Sequence, residues 1–434
     1  MNRDSGLWVT AIVLSPTEKN AREMRAFMEL SSSIILLVFI ANVAFSFHFL
    51  YLLAVSLAAL TRRRKPVTEG VARSRFKIVI PAHDEELGIT DTVKSCQALD
   101  YPKDSFELIV IADNCLDSTA ALAGRAGATV VERHDDLNRS KGHALRFLFD
   151  LLEQSGEMDR TDALVIIDSD TVVDAALLRG FASRLEEGHD WIQAYDTVSN
   201  YDASWRTRQL AYSFSLINGV RLLGQNALGL SASFCGNGMC ISIRGLRRRP
   251  WQTYGLVEDL EYSWQLRVQG EMIVFAPEVA CYAAMPTHGG SAASNQRRRW
   301  EFGRKVVKRK MLGPLLRTRQ LDLLKKLVSI LELTMPTTVF LVNLFLGLAL
   351  VNLLISSLTR SELVLMRTLP YFTYFQVICL LVYGISPLFL FPISWRVLST
   401  LVYFPYYTSW KVLNWFRGSP QKWVRTERQE QTTH

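Results

Sequence analysis

Residues 163–170 read ALVIIDSD. A short unbroken apolar run that stops at polar residues reads as a strand buried on both faces. Two carboxylates follow it, one residue apart. Alternate residues just past a strand share a side, so Asp168 and Asp170 converge on one spot and repel each other unless a cation lies between them. Hard oxygen ligands suit Mg2+ or Mn2+, which commonly bind substrate phosphates as well. The tripeptide alone is weak evidence. After a buried strand it suggests a metal-bridged nucleotide diphosphate.

Upstream the same pattern repeats. Residues 76–80 (FKIVI) form a first strand that stops at Pro81, residues 107–112 (ELIVIA) a second, and residues 129–132 a third. The stretches 90–99, 118–126 and 141–154 between them are helical. Short apolar strands alternating with helices predict a parallel sheet covered on both faces, with ligands at the carboxyl ends of its strands. Polar residues gather at those ends: Pro81-Ala82-His83-Asp84-Glu85-Glu86, Asp113-Asn114-Cys115-Leu116-Asp117 and Asp168-Ser169-Asp170. Any one of these could be ordinary turn chemistry, since Asp and Asn are common in turns. Three acidic loops at one sheet edge point to a site. His83, His134 and His143 lie near these loops, where a lone histidine is more often structural than catalytic.

The flanks are of another kind. Among 434 residues, the stretches 30–60, 333–358 and 369–395 carry no Asp, Glu, Lys or Arg. Each exceeds the ~20 residues that cross a bilayer as a helix. The first is too long, and too far from the start, for a cleaved signal peptide; a shorter apolar piece at 7–14 cannot span. Positive charge clusters where the spans end, at Arg62, Arg63, Arg64 and Lys65 and again over 304–326. The net charge of +8 therefore reads as membrane topology rather than nucleic-acid binding. The expected organisation is an extracytoplasmic segment at 1–29, a transmembrane helix at 30–60, and a cytoplasmic catalytic domain at 61–303. A basic interfacial helix follows at 304–326, then two transmembrane helices within 327–395, then an interfacial helix and cytoplasmic tail at 396–434. The expected location is the inner (plasma) membrane, as a multi-pass protein. Six cysteines without a CxxC pair indicate neither a disulfide framework nor a zinc cluster, in keeping with a reducing compartment.

One basic stretch, NQRRRWEFGRKVVKRK at 295–310, has two readings. It fits a membrane anchor. It also places Gln296, Arg299 and Trp300 on one face of a helix, as part of a site.

Taken in order, PAHDEE, ADNCLDST, KGHAL, DSD, FCGNG, VEDLEYSWQL and QRRRW resemble the membrane-embedded family 2 glycosyltransferases, the cellulose, hyaluronan, chitin and poly-N-acetylglucosamine synthases. The resemblance covers roughly residues 74–305, and the ordered set ending in QxxRW is its specific part. It implies a GT-A (Rossmann-like) α/β catalytic domain plus an α-helical transmembrane region. It also implies how the residues divide. Pro81, Ala82, His83 and Glu85 hold the nucleoside, Asp113 reads the base, and Lys141, Asp168, Ser169 and Gln296 lie along the nucleotide. Asp170, with Asp168, binds Mg2+ or Mn2+. Phe234, Cys235, Gly236, Asn237 and Trp300 lie under the acceptor sugar. Asp259, beside Glu258, is the general base, and Arg299 neutralises the leaving diphosphate. Arg297, Arg298, Arg304 and the lysines that follow serve the membrane interface. Trp423-Val424-Arg425-Thr426 resembles a gating segment, or is a basic tail with an anchoring Trp.

The implied activity is inverting transfer from a nucleotide sugar, a UDP-sugar foremost, to a growing β-linked saccharide. The runner-up is non-processive addition of one sugar to a lipid-linked acceptor. Three spans are few for a private polymer channel, so a homo-oligomer or a secretion partner is an expectation of the first reading. The absence of a GxxxxGK[ST] loop argues against a nucleotide-driven transporter.

Overall fold

The computed structural model describes residues 16–62, 73–288, 290–358 and 364–415. The apolar piece at 7–14, the basic residues 63–65, residues 359–363 and the Trp423-Val424-Arg425-Thr426 segment lie outside the described residues. The chain divides into two compact units, Met1–Phe49 with Pro336–Ile378, and Leu50–Met335 with Cys379–His434.

The first unit is helical. Three helices contain windows long and apolar enough to cross a membrane, Ser32–Thr61, Thr338–Ser357 and Arg367–Leu390; they coincide with the charge-free runs in the sequence. Their few polar side chains find one another. Asn42 and Asn352 exchange amide hydrogen bonds of 3.1 and 3.2 Å, and Gln376 donates to Asn42 at 3.4 Å. Asn352 also donates to the Thr373 hydroxyl at 2.9 Å. In an apolar surrounding an unpaired amide costs several kcal/mol, roughly, so the pairing fixes which faces of these helices meet.

The second unit is built on one eight-stranded sheet. Its strands are β1 (Phe76–Ala82), β2 (Phe106–Asp113), β3 (Thr129–Arg133), β4 (Ala163–Ile166), β5 (Thr171–Val173), β6 (Trp191–Val198), β7 (Met239–Ser242) and β8 (Ile273–Ala283), in the spatial order β3-β2-β1-β4-β7-β6-β8-β5. The first half matches the sequence expectation. β1 is parallel to β2 and β4, and β2 is parallel to β3. The second half does not. β7 runs antiparallel to β4 and β6, and β5 antiparallel to β8, so the sheet is mixed rather than parallel. Helices still separate most of these strands, and β6 pairs with β8 in parallel; the change of direction enters through β7, which inserts antiparallel between β4 and β6, and through β5 at the edge.

Every residue of β4 and β6 is buried, as strands in the middle of a covered sheet must be. Ile78, Ile80, Val110, Val165, Ile167, Phe181 and Ile192 share one core cluster. β1, β2 and β4, being parallel, end on the same edge, and this brings the three polar loops together. The helix Lys141–Gln154 starts at that edge, capped by Ser140, whose hydroxyl accepts from the His143 amide at 3.3 Å. Its second residue must be small: a Cβ on Gly142 would lie 2.1 Å from the Thr253 carbonyl oxygen. Gly142→Ala should therefore destabilise the fold by about 1–3 kcal/mol, read as a lower denaturant midpoint.

Candidate active site

The first residue of the 141–154 helix reaches across the end of β4. The Lys141 ammonium pairs with Asp168 and donates to the Gly236 carbonyl at 2.5 Å. Asn237 holds the same place from beneath. Its side-chain oxygen accepts from the Asp168 amide at 3.1 Å, and its NH2 donates to Thr171 and to Asp196, each at 3.0 Å. Gly236 and Gly238 both have positive φ, 87° and 68°, which a glycine adopts without strain. Gly236 is tight as well: a Cβ there would lie 3.2 Å from a carboxylate oxygen of Asp259. Asp259 comes from the first turn of the helix Glu258–Val268. Thus Lys141, Asp168, Cys235, Gly236 and Asp259, far apart in sequence, form one group.

The charges explain the acidities. Burial, then the neighbouring Glu258, pushes Asp259 up to about 7. Burial also raises Glu258, against the opposing pull of Lys141 and Arg299. Burial alone would lower Lys141; Asp168, Glu258 and Asp259 outweigh it, and the ammonium is held charged. One residue that the sequence reading passed over belongs here. Asp196, at the end of β6, is buried, hydrogen-bonded to Asn237, and raised well above the ordinary carboxylate range by burial and by Asp168. A lone carboxylate inside a strand as apolar as WIQAYDTV was the signal that could have found it.

The other predicted positions divide. Asp113 is buried with its carboxylate taken by Arg133 at 2.5 Å and by the Asn114 amide at 3.0 Å. Arg133 also pairs with Asp135 at 2.8 Å, so Asp113 belongs to a closed ionic cluster. The His83 ring sits 2.6 Å from the Asp113 carbonyl. Pro81 and Glu85 are half-buried and Ala82 is buried; the Glu85 amide is tied to Thr119 at 2.7 Å. Ser169 is buried, its carbonyl accepting from Thr92. Beside this cluster His143 stacks on the exposed Tyr254, centroids 4.3 Å apart, an aromatic platform that no motif announced. Phe234 is 2 % exposed and lies parallel to Tyr262; Asn237, equally buried, works as a clamp. The open part of the FCGNG loop is Cys235 and Gly236.

Gln296, Arg299 and Trp300 share the helix Ser291–Arg317 and are half-buried. Trp300 lies 6.1 Å from the Phe214 ring, and the field of Arg299 reaches Glu258. Not all its basic residues face outward. Arg297 packs over Tyr407 at 4.5 Å, Glu301 pairs with Lys411 at 2.9 Å, and Lys310 pairs with the buried Glu261.

A divalent metal fits this donor set in part. Asp168 and Asp170 offer only hard oxygen, as Mg2+ or Mn2+ prefers, but Asp168 already faces Lys141 and would have to share its oxygens between the ammonium and the metal. Among the described residues the one three-residue group with ligand atoms within 4.8 Å of one another is elsewhere, Asp84, Cys115 and Asp117. Those carboxylates already bind the backbone amides of Leu116 and Thr119, as turn residues do.

The profile of glycosyltransferase-like family 2 matches residues 73–303, more than half of the chain and all of this site up to Trp300. The chain belongs to that family. The family membership makes it a transferase by class, with a GT-A-like mixed α/β fold. A poly-β-1,6-N-acetyl-D-glucosamine synthase of Staphylococcus aureus is 25% identical over 296 residues, covering 62% of this chain and 63% of that one. Glycosyltransferase AglD of Haloferax volcanii is 31% identical over 131 residues, 29% of this chain and 20% of that one. The chain thus spans less than two thirds of either relative. Among solved structures, a mannosyltransferase of Pyrobaculum calidifontis in complex with GDP-Man and Mn2+ aligns with a TM-score of 0.48 and 16% identity, over 81% of this chain and 99% of that one.

The raised pKa of Asp259 has a stability cost with a definite sign. Below pH ~4 both folded and unfolded chains hold this proton. As pH rises toward about 7 the unfolded chain releases it and the folded chain does not, so stability falls across that window and then levels off. Asp259→Asn removes the effect. Its melting temperature should exceed that of the parent at pH 8 and match it near pH 4; a variant less stable than the parent at pH 8 would contradict the assignment.

Proposed function

We propose that the chain is an inverting glycosyltransferase that moves a sugar from a nucleotide diphosphate donor, a UDP-sugar foremost, onto a β-linked saccharide. The observation that carries this reading is Asp259. It is a single carboxylate raised to about 7 and laid against Gly236, whose carbonyl receives the same lysine that grips Asp168. A hydroxyl nucleophile needs a base at the moment of attack, and a base works best when its pKa lies near the working pH.

In the proposed reaction Asp259 accepts the proton of the acceptor hydroxyl. The hydroxyl oxygen bonds to the anomeric carbon of the donor while the bond from that carbon to the diphosphate breaks. The electron pair leaves with the nucleoside diphosphate, and one displacement inverts the anomeric centre. Lys141 and Arg299 supply positive charge where the diphosphate's charge develops. Asp170 with Asp168 would hold Mg2+ or Mn2+, which when bound neutralises that same charge. The half-buried Trp300 and the open Cys235–Gly236 edge would take the acceptor sugar, Gln296 would contact the nucleotide, and the His143–Tyr254 platform would carry the base. The likeness to the staphylococcal synthase supports a polysaccharide product. Three apolar helices among the described residues favour a second reading, transfer of a single sugar to a lipid-linked acceptor, since so few helices hardly enclose a channel. In either case the catalytic unit would face the cytoplasm, by the placement of Arg and Lys around the spans.

The test is to incubate the purified protein with Mg2+ and a panel of nucleotide sugars and to measure diphosphate release and product size. At least one UDP-sugar should be turned over. Asp259→Asn should lower the rate by about 10²- to 10⁴-fold while UDP affinity changes by less than about tenfold. Arg299→Ala should weaken both. Asp170→Asn or EDTA should abolish turnover. Release from none of the sugars would overturn the reading; equal loss of UDP binding and turnover in Asp259→Asn would remove Asp259 as the base.

A further inference from the structure

Two arginines of the catalytic unit make no direct ion pair among the described residues. Arg221 closes the π-helix Ser215–Arg221, a rare geometry that concentrates at functional sites. The turn is fixed from several sides. The Tyr383 hydroxyl donates to the Leu216 carbonyl at 3.2 Å, Phe391 occupies the space a Cβ on Gly219 would need, and Asn218 reaches the Asp196 carboxylate at 3.3 Å. Arg304, from the QxxRW helix, shares the electrostatic neighbourhood of Arg221, Tyr383 and Glu332. Neither arginine makes a hydrogen bond or an ion pair with any described residue, and the Nε of Arg221 is buried without a partner. The nearby carboxylates are already committed: Glu332 pairs with Arg267, and Glu301 with Lys411 at 2.9 Å. Burial, and then the repulsion of Arg221, hold Arg304 down to about 10. Glu332 thus pairs with Arg267 and lends only its field to Arg221 and Arg304; three arginines around one carboxylate leave an excess of half-buried positive charge that a bound anion offsets.

The donor diphosphate is not that anion. Arg304 lies five residues beyond Arg299, which places it about 140° around the helix and about 7.5 Å along it, so the two guanidiniums serve different groups. The field of Arg221 instead reaches Cys235, in the loop whose next residue lies against Asp259. Given the transferase reading above, on which this rests, we propose that Arg221 and Arg304 form an oxyanion site for the acceptor, which carries a phosphate or carboxylate. The fork-shaped guanidinium suits either group. A lipid-linked phosphate and an acidic sugar both present that chemistry.

The full-length protein in discs of neutral lipid is titrated with matched pairs, farnesyl phosphate against farnesol and a hexuronate oligosaccharide against its methyl ester. At least one charged probe should bind about tenfold or more tighter than its neutral partner, and which one does so identifies the source of the oxyanion. Arg221→Gln and Arg304→Gln should each erase the preference while UDP affinity stays within about threefold. Arg221→Lys keeps the charge and should retain part of it, which separates lost recognition from lost folding. No preference for either charged probe in the parent, or a preference that persists in the double glutamine variant, overturns the proposal. Titrating UDP into the parent keeps the two readings apart: failure to bind UDP sinks the transferase reading alone, whereas UDP binding without any oxyanion preference sinks this one alone.

Discussion

One ammonium group organises the catalytic unit. Lys141 meets Asp168 and the Gly236 carbonyl, and its charge bears on Glu258, Asp259 and Asp196. Four carboxylates in one half-buried region repel one another and resist ionisation. Without that lysine the region would hold its protons or come apart. With it, Asp168 stays paired and the rise that burial and Glu258 impose on Asp259 is held in check, so a single side chain tethers the loop after β4 and moderates the pKa of the group beyond it. The lysine can do this only because Gly142 lets the helix start flush against Thr253.

The clamp made by Asn237 belongs to the same design. A buried amide that satisfies an Asp168 amide, a Thr171 hydroxyl and an Asp196 carboxylate together ties β4, β5 and β6 at the point where the sheet changes from parallel to antiparallel. Loops in most proteins are the mobile parts; here the loop after β4 is tied through this side chain to residues of β5 and β6. The positioning of the site is therefore a property of the sheet edge rather than of any loop taken alone.

The sequence was readable where periodicity is strong. The runs FKIVI, ELIVIA and ALVII became β1, β2 and β4 because each is largely apolar and ends in turn residues; the two charges, Lys77 and Glu107, pair with each other. The 141–154 helix matched to the residue, since its cap Ser140 and its spacing agree. What sequence could not show was contact between distant segments. Asp113 reads as a ligand-facing acid until Arg133, twenty residues on, is seen to occupy it. Phe234 reads as an acceptor platform until Tyr262 covers it. Asp196 and Arg221 sit in segments without a motif, and only the third dimension gives the one a crowd of acids and the other a Glu332 already taken by Arg267. The antiparallel pairing of β7 was missed for a similar reason: helices separate it from its neighbours in sequence just as they separate the parallel strands, so element order does not reveal its direction.

The helix Ser291–Arg317 is a single rod of 27 residues. It holds Gln296, Arg299 and Trp300 near one end and, further along, the Lys310 that pairs with Glu261. A helix advances about 100° per residue. Removing one residue between Trp300 and Lys310 would turn the far half of the rod by that angle against the near half. Either Lys310 would lose Glu261 or Arg299 would swing away from Glu258. Glu261 and Glu258 stand one turn apart on the same neighbouring helix, so the two helices mesh like cut gears, and the spacing between those two cations is as much a part of the site as the side chains themselves.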